Sequence, residues 1–282
     1  MKKSQVYKSN ALIEASYRLT PAEQRIMLCC IAQVRRDQPL TDEIMYNVSV
    51  ADYAELIGTD SHSTYKELAN ATLRLKRREV WLREHPNGQG KRSKTLVTSW
   101  VQSIAYIESE GRVELRFTKD ILPYLTHLSE QFTRYSLVDI AKMTSSHAMR
   151  LYELLCQWRG VGEREVSVDW LRETFQLNDK YPAIKDLKRW VIEPALAQVN
   201  EHSPLWVTWS QRKSGRRITH LTFTFGLKDQ EPVSRKVEIA SNQNIRALYG
   251  IPIDHIEQNA RPGESYEDTA LRLLDEARKK RR

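Results

Sequence analysis

Apolar residues recur along the first third of the chain at two spacings, every third or fourth position in some segments and every second position in others. Thr20-Pro21-Ala22-Glu23 has the spacing of a capping box with proline at the first helical position, and apolar residues follow it at helical spacing as far as Val34. This pattern predicts a helix that begins beside Thr20. Segments 46–58 and 61–78 then predict a short strand with a short helix that stops at Gly58, and a helix of about four turns.

Strand patterns follow that long helix. Residues 79–84 and 95–108 have the composition of strands, and the polar segment between them, 85–94, contains two glycines and predicts a flexible turn. A further strand is predicted over 112–117. The turn and its two flanking strands together predict a hairpin after the long helix.

The same order of elements recurs from residue 144. The second copy comprises a helix that stops at Gly160, a strand with a short helix, a long helix, a strand, a basic turn and a final strand, over residues 144–160, 164–178, 181–200, 205–210, 211–217 and 218–226. The tripeptide Val-Ser-Val occurs in both copies, at 48–50 and 166–168. We therefore predict an internal structural repeat that rests on element order rather than on sequence identity.

Helix, strand, helix, helix, strand, turn, strand is the order of a winged helix, in which the third helix fits the major groove and the hairpin reaches phosphates or the minor groove. The sequence therefore predicts an α+β fold of two tandem winged-helix domains, at 1–130 and 131–228. Residues 229–282 are predicted to form a linker and a C-terminal amphipathic helix that ends in five basic residues.

Composition and charge narrow the class of protein further. Of the 282 residues, 40% are hydrophobic and 28% charged, which is typical of a globular protein, and the formal net charge of +8 suits a nucleic-acid partner. No run of about eighteen apolar residues occurs, so no membrane span is expected. Three cysteines without a C-x-x-C spacing favour a reducing compartment. Together these features predict a cytoplasmic protein.

Side chains suited to DNA contact lie on the helix predicted over 61–78. Leu68, Ala71 and Leu75 share one face, which we expect to pack on the core, and polar side chains occupy the opposite face. Five basic residues against one acidic residue favour a DNA-contact surface over an ordinary solvated face. The candidate contacts on this helix and on the first wing, predicted over 83–94, are Ser63, Lys66, Asn70, Arg74, Arg77, Lys91, Arg92 and Lys94.

The second copy places its charge mainly on the hairpin. In its long helix, Lys185 and Arg189 lie on an exposed face with Lys188 at the margin, whereas Trp190 flanks the core side and is expected to pack there. Pro194 lacks a backbone donor and is expected to kink or restart the helix. The wing has four basic residues within six positions and no acid, which is the strongest local indication of phosphate binding: Arg212, Lys213, Arg216 and Arg217.

Three stretches of the chain resemble a known family. They are "NALIEASYRLTPAEQRIMLCCI" (10–31), "FTRYSLVDIAKMTSSHAMRLYELLCQW" (132–158) and "IKDLKRWVIEPALAQVN" (184–200). All three resemble the iteron-binding plasmid replication initiators, the class that includes the F-plasmid initiator. The resemblance spans roughly 10–226, and the tail over 227–282 shows none.

The resemblance implies a division of labour between two winged-helix domains. Monomers are expected to bind direct repeats in double-stranded origin DNA, open the adjacent duplex and recruit the host initiator and the replicative helicase. Dimers are expected to bind an inverted repeat and repress the initiator's own gene. The domain at 1–130 would supply most of the homodimer contact, and the domain at 131–228 most of the base readout. By position, the base readers would be Tyr181, Lys185, Lys188 and Arg189.

Enzymatic functions find little support in the sequence. A rolling-circle nicking initiator needs two histidines on either side of one apolar residue to hold a metal, and none of the seven histidines are so spaced. Tyr181-x-x-x-Lys185 therefore lacks a metal site, and Gly90-Lys91-Arg92-Ser93 lacks the earlier glycine of a P-loop. We predict a non-enzymatic protein without catalytic residues, metal or cofactor. A transcriptional repressor that does not initiate replication shares the predicted fold and remains an alternative.

Overall fold

The structure, a computed structural model, describes residues 4–35, 41–128, 131–230, 247–248, 251–252 and 273, without the side chains of residues 61–63, 230, 247–248 and 251–252. Two compact units divide the chain between Lys228 and Asp229. In the second unit, the described residues include one antiparallel pair of two-residue strands. Apart from that strand pair and residues 229–230 and 273, the linker and basic helix predicted over 229–282 lie outside the described residues, as does the side chain of Ser63.

Helices and strands are mixed throughout the first unit, as predicted. The helices are α1 (Asn10–Ile13), α2 (Pro21–Ile31), α3 (Val50–Ile57), α4 (Ser61–Leu75), α5 (Val138–Ala141), α6 (Ser146–Cys156), α7 (Val168–Thr174), α8 (Ile184–Leu187) and α9 (Glu193–His202), with one π-helical turn (Lys188–Ile192) between α8 and α9. The strands are β1 (Gln5–Ser9), β2 (Ser16–Tyr17), β3 (Tyr46–Ser49), β4 (Glu79–Glu84), β5 (Lys91–Ser99), β6 (Val101–Ile107), β7 (Arg112–Phe117), β8 (Phe132–Ser136), β9 (Glu163–Ser167), β10 (Leu205–Ser214) and β11 (Arg217–Leu227); β12 (Ala247–Leu248) and β13 (Ile251–Pro252) form the pair in the second unit.

Local signals place the first helices where the sequence predicts them. Thr20 Oγ1 accepts the Glu23 N–H at 3.3 Å, and Glu23 Oε2 accepts the Thr20 N–H at 2.9 Å, so the capping box is complete. Ser49 caps α3, which ends at Gly58 in the left-handed region. The face of α4 that carries Leu68 is fully buried, as predicted.

The two winged helices, called the first and second halves below, have the same order of strands in their sheets. This order places the first wing at a different hairpin from the one that the sequence predicts. In the second half, β9 pairs with β11 and β11 pairs with β10. In the first half, β3 pairs with β7 and β7 pairs with β6. The hairpin equivalent to β10–β11 is therefore β6–β7, whose tip carries Glu108 and Glu110. The basic segment over 83–94, predicted to be the first wing, is a different hairpin, β4–β5, which pairs with β2.

Trp100 explains why the single strand predicted over 95–108 is wrong. It lies between β5 and β6, which belong to different sheets. Its side chain is 1% exposed, and its ring is nearly perpendicular to the Tyr17 ring, with 4.8 Å between the centroids. Burial of this indole anchors the chain at the point where it crosses from one sheet to the other.

The long helix predicted over 181–200 begins later and is interrupted. It starts at Ile184 and changes to a π-helical turn over Lys188–Ile192, where the Glu193 N–H donates to the Lys188 carbonyl. Pro194 follows directly and has no N–H for the carbonyl four residues earlier. The interruption predicted at Pro194 is thus confirmed as a π turn.

Two further boundaries differ from the prediction in the second half. Helix α6 ends at Cys156, and Gly162 rather than Gly160 adopts positive φ, at 77°. The basic segment over 211–217 is mostly strand, because β10 and β11 continue to a tight turn at Gly215. Strand pairing across a long hairpin outweighs the local preference of polar residues for loops.

A buried polar cluster joins β1, β2, β8 and α6. Lys8 Nζ donates to Glu153 Oε1 at 2.8 Å and to the Tyr17 hydroxyl at 3.1 Å, and the Tyr135 hydroxyl donates to Glu153 Oε1 at 2.5 Å. Lys8 and Glu153 are 1% and 0% exposed. Because β1 also pairs with β8 along its whole length, this cluster fixes the N-terminal strand against α6.

Candidate nucleic-acid interface

Helix α4, which follows α2 and α3 as the third helix of the first winged helix, presents a polar outer face. Lys66 and Asn70 are exposed on it, and Arg77 is exposed just after the last helical residue, Leu75; neither Lys66 nor Arg77 has an acidic partner among the described residues. Arg74, expected on the same face, donates to Glu23 Oε1 at 3.1 Å. Its charge is therefore partly matched within the protein, whereas Lys66 on α4 and Arg77 just after α4 keep unmatched charges.

Glu23 links three elements of the first half. Its buried carboxylate accepts hydrogen bonds from Arg74 on α4 and from Arg78 just before β4, at 2.8 and 3.0 Å for Arg78. Burial acts to raise the pKa of Glu23, but the hydrogen bonds from Arg78 and the Thr20 N–H hold it below the ordinary value of 4.5. The carboxylate thus stays ionised and holds the end of α4 against α2.

Replacement of Glu23 by glutamine is expected to lower the free energy of unfolding by about 1–3 kcal/mol near neutral pH, because charge-assisted hydrogen bonds are removed. A carboxyl whose folded pKa is depressed stabilises the fold above its unfolded pKa. The wild-type protein should therefore lose stability as the pH falls below 4.5 through the folded pKa. Urea unfolding at a series of pH values measures this slope, and an equal slope in the variant would contradict the role given to Glu23.

Hairpin β4–β5 carries the basic residues that the sequence assigns to the first wing. Lys91 and Lys94 are exposed on β5. Arg92 is half-buried and donates to the Tyr124 hydroxyl at 3.1 Å. Since this hairpin is not the topological wing, the three residues form a separate basic group, and their contact with DNA stays a prediction.

The second recognition segment exposes two of its four candidate readers. Lys185 and Arg189 are exposed on the outer face of the segment from α8 through the π turn. Lys188 donates to Gln211 on β10 at 2.9 Å and lies 5.4 Å from the Trp209 ring centroid. Tyr181 precedes the helix, at φ 55°, and packs partly against the core. Lys185 and Arg189 are therefore the cations best placed for a groove.

The expectation that Trp190 packs on the core is wrong. Its side chain is 56% exposed, and the Arg189 guanidinium lies 4.9 Å from its ring centroid. The π turn inserts one residue into the helical period, so that Ile192, at 0% exposure, is buried in its place. The recognition segment thus presents an aromatic side chain beside Arg189.

The second wing divides its four cations into two pairs. Arg212 makes a bidentate ion pair with Glu165 on β9 at 2.8 and 2.9 Å, and Arg217 donates to Asp169 on α7 at 3.1 Å. The hydrogen bond from Arg212 lowers the pKa of Glu165. Lys213 and Arg216 have no acidic partner among the described residues and are exposed at the end of the hairpin.

The two pairs of wing residues provide a matched comparison. Lys213→Gln with Arg216→Gln is expected to weaken DNA binding and to reduce the dependence of log affinity on log salt by about one for each phosphate that is no longer bound. Arg212→Gln with Arg217→Gln removes the same formal charge and is expected to change the salt dependence less, because those cations already face carboxylates. Fluorescence anisotropy over a salt series measures both, and equal reductions would contradict this division.

A cleft of about 890 Å³ has the end of α4 and strand β4 on one side and helix α7 on the other. Arg77, Trp81 and Arg172 line it. Arg83 and Glu173 form an ion pair between the halves, and the Ser16 hydroxyl donates to the Glu173 carbonyl at 2.6 Å. These contacts keep the two winged helices side by side.

Sequence reasoning missed the groups that organise this surface. Glu165 and Asp169 lie more than forty residues before the arginines they pair with, 47 and 48 positions respectively. Arg172 lies on α7, where its charge looks like that of any solvated helix. The one indication in the sequence was that Glu165 and Asp169 lie in, or just after, the strand that pairs with the second wing. That position could have suggested that two of the four wing cations are paired with acids.

No cluster of metal-ligating residues is present among the residues that the structure describes. Across those same ranges, no helix has the length and apolar character to span a bilayer.

Two strand–helix–helix–hairpin units with shared sheet order define a tandem winged-helix protein. Residues 5–156 match the family described as "Initiator Replication protein, WH1", and residues 167–225 match "Initiator Rep protein, WH2". The chain therefore belongs to this family of replication initiators, and its resemblance to plasmid replication initiators is confirmed.

Individual relatives agree with this assignment. A replication initiation protein of Escherichia coli is 28% identical over 240 residues, which cover 83% of this chain and 73% of the relative. The PI protein of Escherichia coli is 24% identical over 259 residues, covering 82% and 85%. A crystal structure of the Pi initiator protein in complex with iteron DNA is similar in fold, with a TM-score of 0.68 at 23% identity, covering 82% of this chain and 100% of that one.

Proposed function

We propose that this replication initiator binds directly repeated origin sites, iterons, as a monomer and helps to open the adjacent duplex. The observation that carries the proposal is the grouping of unpaired cations on the second winged helix. Lys185 and Arg189 lie on its recognition segment, and Lys213 and Arg216 lie at the end of its hairpin. A helix and hairpin of this kind engage a major groove and the neighbouring phosphates together. The Pi initiator, which shares the fold, was crystallised with iteron DNA.

The two halves are proposed to divide the work. The C-terminal domain at 131–228 reads bases, and the N-terminal domain at 1–130 adds backbone contacts through α4 and β5 and supplies the contact of a homodimer. The dimer would bind an operator inverted repeat and repress the initiator's own gene. Support for the dimer, and for recruitment of the host initiator and replicative helicase, comes from the resemblance to plasmid initiators. The protein would act in the bacterial cytoplasm on the plasmid, without catalysis or cofactor.

A repressor without initiator activity is the second candidate. It shares the winged helices and basic surfaces, but a simple repressor generally binds a palindrome as a symmetric dimer. The two halves of this chain are unequal, because the first has an acidic hairpin tip at Glu108 and Glu110 and an additional hairpin, β4–β5. Unequal units on one chain suit a directly repeated site and therefore favour initiation.

Footprinting on the DNA that flanks the gene tests the proposal, with the oligomeric state measured by light scattering in parallel. Monomeric protein is expected to protect a tandem array of direct repeats, and a duplex of equal length with shuffled repeats serves as the control. Protection of a single inverted repeat alone, by dimers alone, would contradict initiation and favour the repressor.

A further inference from the structure

The loop between α7 and α8 has an unfavourable backbone. Gln176, Asn178 and Tyr181 all have positive φ, at 47°, 48° and 55°, although none is glycine. Non-glycine residues in this region are strained and persist only where the surrounding structure holds them. In this helix-turn-helix the loop leads directly into the recognition segment. A specific contact must therefore hold it in place.

Arg172 on α7 provides that contact. Its Nη1 donates to the Lys180 carbonyl at 3.1 Å, and its Nη2 donates to the carbonyls of Tyr181 and Pro182 at 2.5 and 3.3 Å. The Arg172 carbonyl accepts the Leu177 N–H at 2.9 Å. One residue thus binds both ends of the loop. The planar fork of a guanidinium holds its donors in fixed directions toward these carbonyls, whereas the ammonium of a lysine is a compact point charge on a flexible stem.

These carbonyls immediately precede the recognition segment. Helix α8 begins at Ile184, two residues after Pro182, and Lys185 follows in its first turn. The direction in which the chain leaves the loop therefore sets where Lys185 and Arg189 point. Since a base contact depends on geometry far more than a phosphate contact does, a shift of this helix would affect sequence readout first.

We propose that Arg172 is a positioning residue for base readout: it clamps the carbonyls of Lys180, Tyr181 and Pro182 and so aims the recognition segment, without itself contacting DNA. This inference rests on the proposed function, because it concerns how the same surface tells one DNA sequence from another. The competing hypothesis is that Arg172, which borders the cleft between the halves, binds a phosphate directly.

The test compares Arg172→Gln and Arg172→Lys with the wild-type chain. Dissociation constants are measured for a direct-repeat duplex and for a shuffled duplex over a salt series, and thermal unfolding is followed for each protein. Arg134→Gln, an exposed arginine on β8, is the control for removal of one charge.

Both Arg172 variants are expected to bind the repeat about tenfold more weakly, the effect of removing one bidentate base interaction. Affinity for the shuffled duplex and the salt dependence should stay close to those of the wild type. The specificity ratio therefore falls, which partial unfolding alone would not cause, because unfolding weakens both duplexes equally. Arg134→Gln should keep the wild-type ratio.

Two results would overturn the inference. One is a wild-type specificity ratio in both variants. The other is that Arg172→Lys binds as the wild type does, whereas Arg172→Gln binds both duplexes more weakly and has a salt dependence lower by about one. That combination marks a phosphate contact. If Arg172→Gln does not fold, Arg172→Lys, which keeps the charge and alkyl stem, decides between clamp and phosphate contact. A wild-type chain that does not prefer the repeat refutes the proposed function itself, and the inference with it.

Discussion

Replacement of Lys185 and Arg189 together by glutamine is expected to weaken binding to the direct repeat by roughly a hundredfold or more. Each side chain is exposed on the recognition segment, and a good base contact contributes about 1–3 kcal/mol of discrimination. Binding to a shuffled duplex should fall much less, because it depends on the phosphate contacts of the hairpins. Fluorescence anisotropy with both duplexes measures the two effects separately.

Lys119→Gln with Lys142→Gln is the matched control for this double substitution. Both lysines are exposed and lie outside the recognition helices and hairpins. The control should bind the repeat and the shuffled duplex nearly as the wild type does. A uniform loss of affinity for both duplexes in the Lys185 and Arg189 variant would contradict base readout and leave these residues as phosphate contacts.

Glu153→Leu is expected to destabilise the fold by about 3–5 kcal/mol, because it leaves the Lys8 ammonium buried without its anion. Burial acts to lower the pKa of Lys8, but Glu153 raises it above the ordinary value of 10.5. A raised lysine pKa means that the stabilisation is complete below pH 10.5 and is lost as the pH rises through the folded pKa. Urea unfolding near neutral pH measures the destabilisation.

The double variant Lys8→Met with Glu153→Leu distinguishes the ion pair from simple packing. Removal of both charges should recover most of the stability, since apolar side chains of similar volume commonly replace a buried ion pair at little cost. A double variant as unstable as the sum of its single variants would show that the two charges are energetically independent, contrary to the contact at 2.8 Å.

Local signals allowed much of the fold to be predicted from the sequence. The capping box at Thr20, the Ser49 cap and the Gly58 stop of α3 all depend on neighbouring residues, so a short window contains the information. Helical periodicity similarly identified the buried face of α4. Element type and order followed, and with them the tandem winged-helix fold.

Strand partners could not be predicted in this way. The pairing of β3 with β7 joins segments more than sixty residues apart, as in the register of Val48 with Val113, and no local pattern distinguishes β7 from β5 as its neighbour. The assignment of the first wing failed for that reason. The π turn before Pro194 likewise shifts the helical period by one residue and places Trp190 outside.

The candidate interface was predictable only in part. Exposure of Lys185 and Arg189 followed from the helical face, because Leu187 and Val191 mark the buried side of that helix. Neutralisation of Arg74, Arg212 and Arg217 did not, since their acidic partners lie 51, 47 and 48 positions away in the sequence. Arg172 acts through backbone carbonyls. Every residue has a carbonyl, so the sequence does not show which ones Arg172 binds.

Hydroxyl-radical footprinting of one chain on one isolated repeat tests most directly whether both winged helices engage DNA together. With stoichiometry fixed at one chain per duplex, two protected patches are expected on one face, about 34 Å apart, which is one helical turn. A single patch from one chain, or two patches that appear only when a second chain binds, would contradict the proposed arrangement.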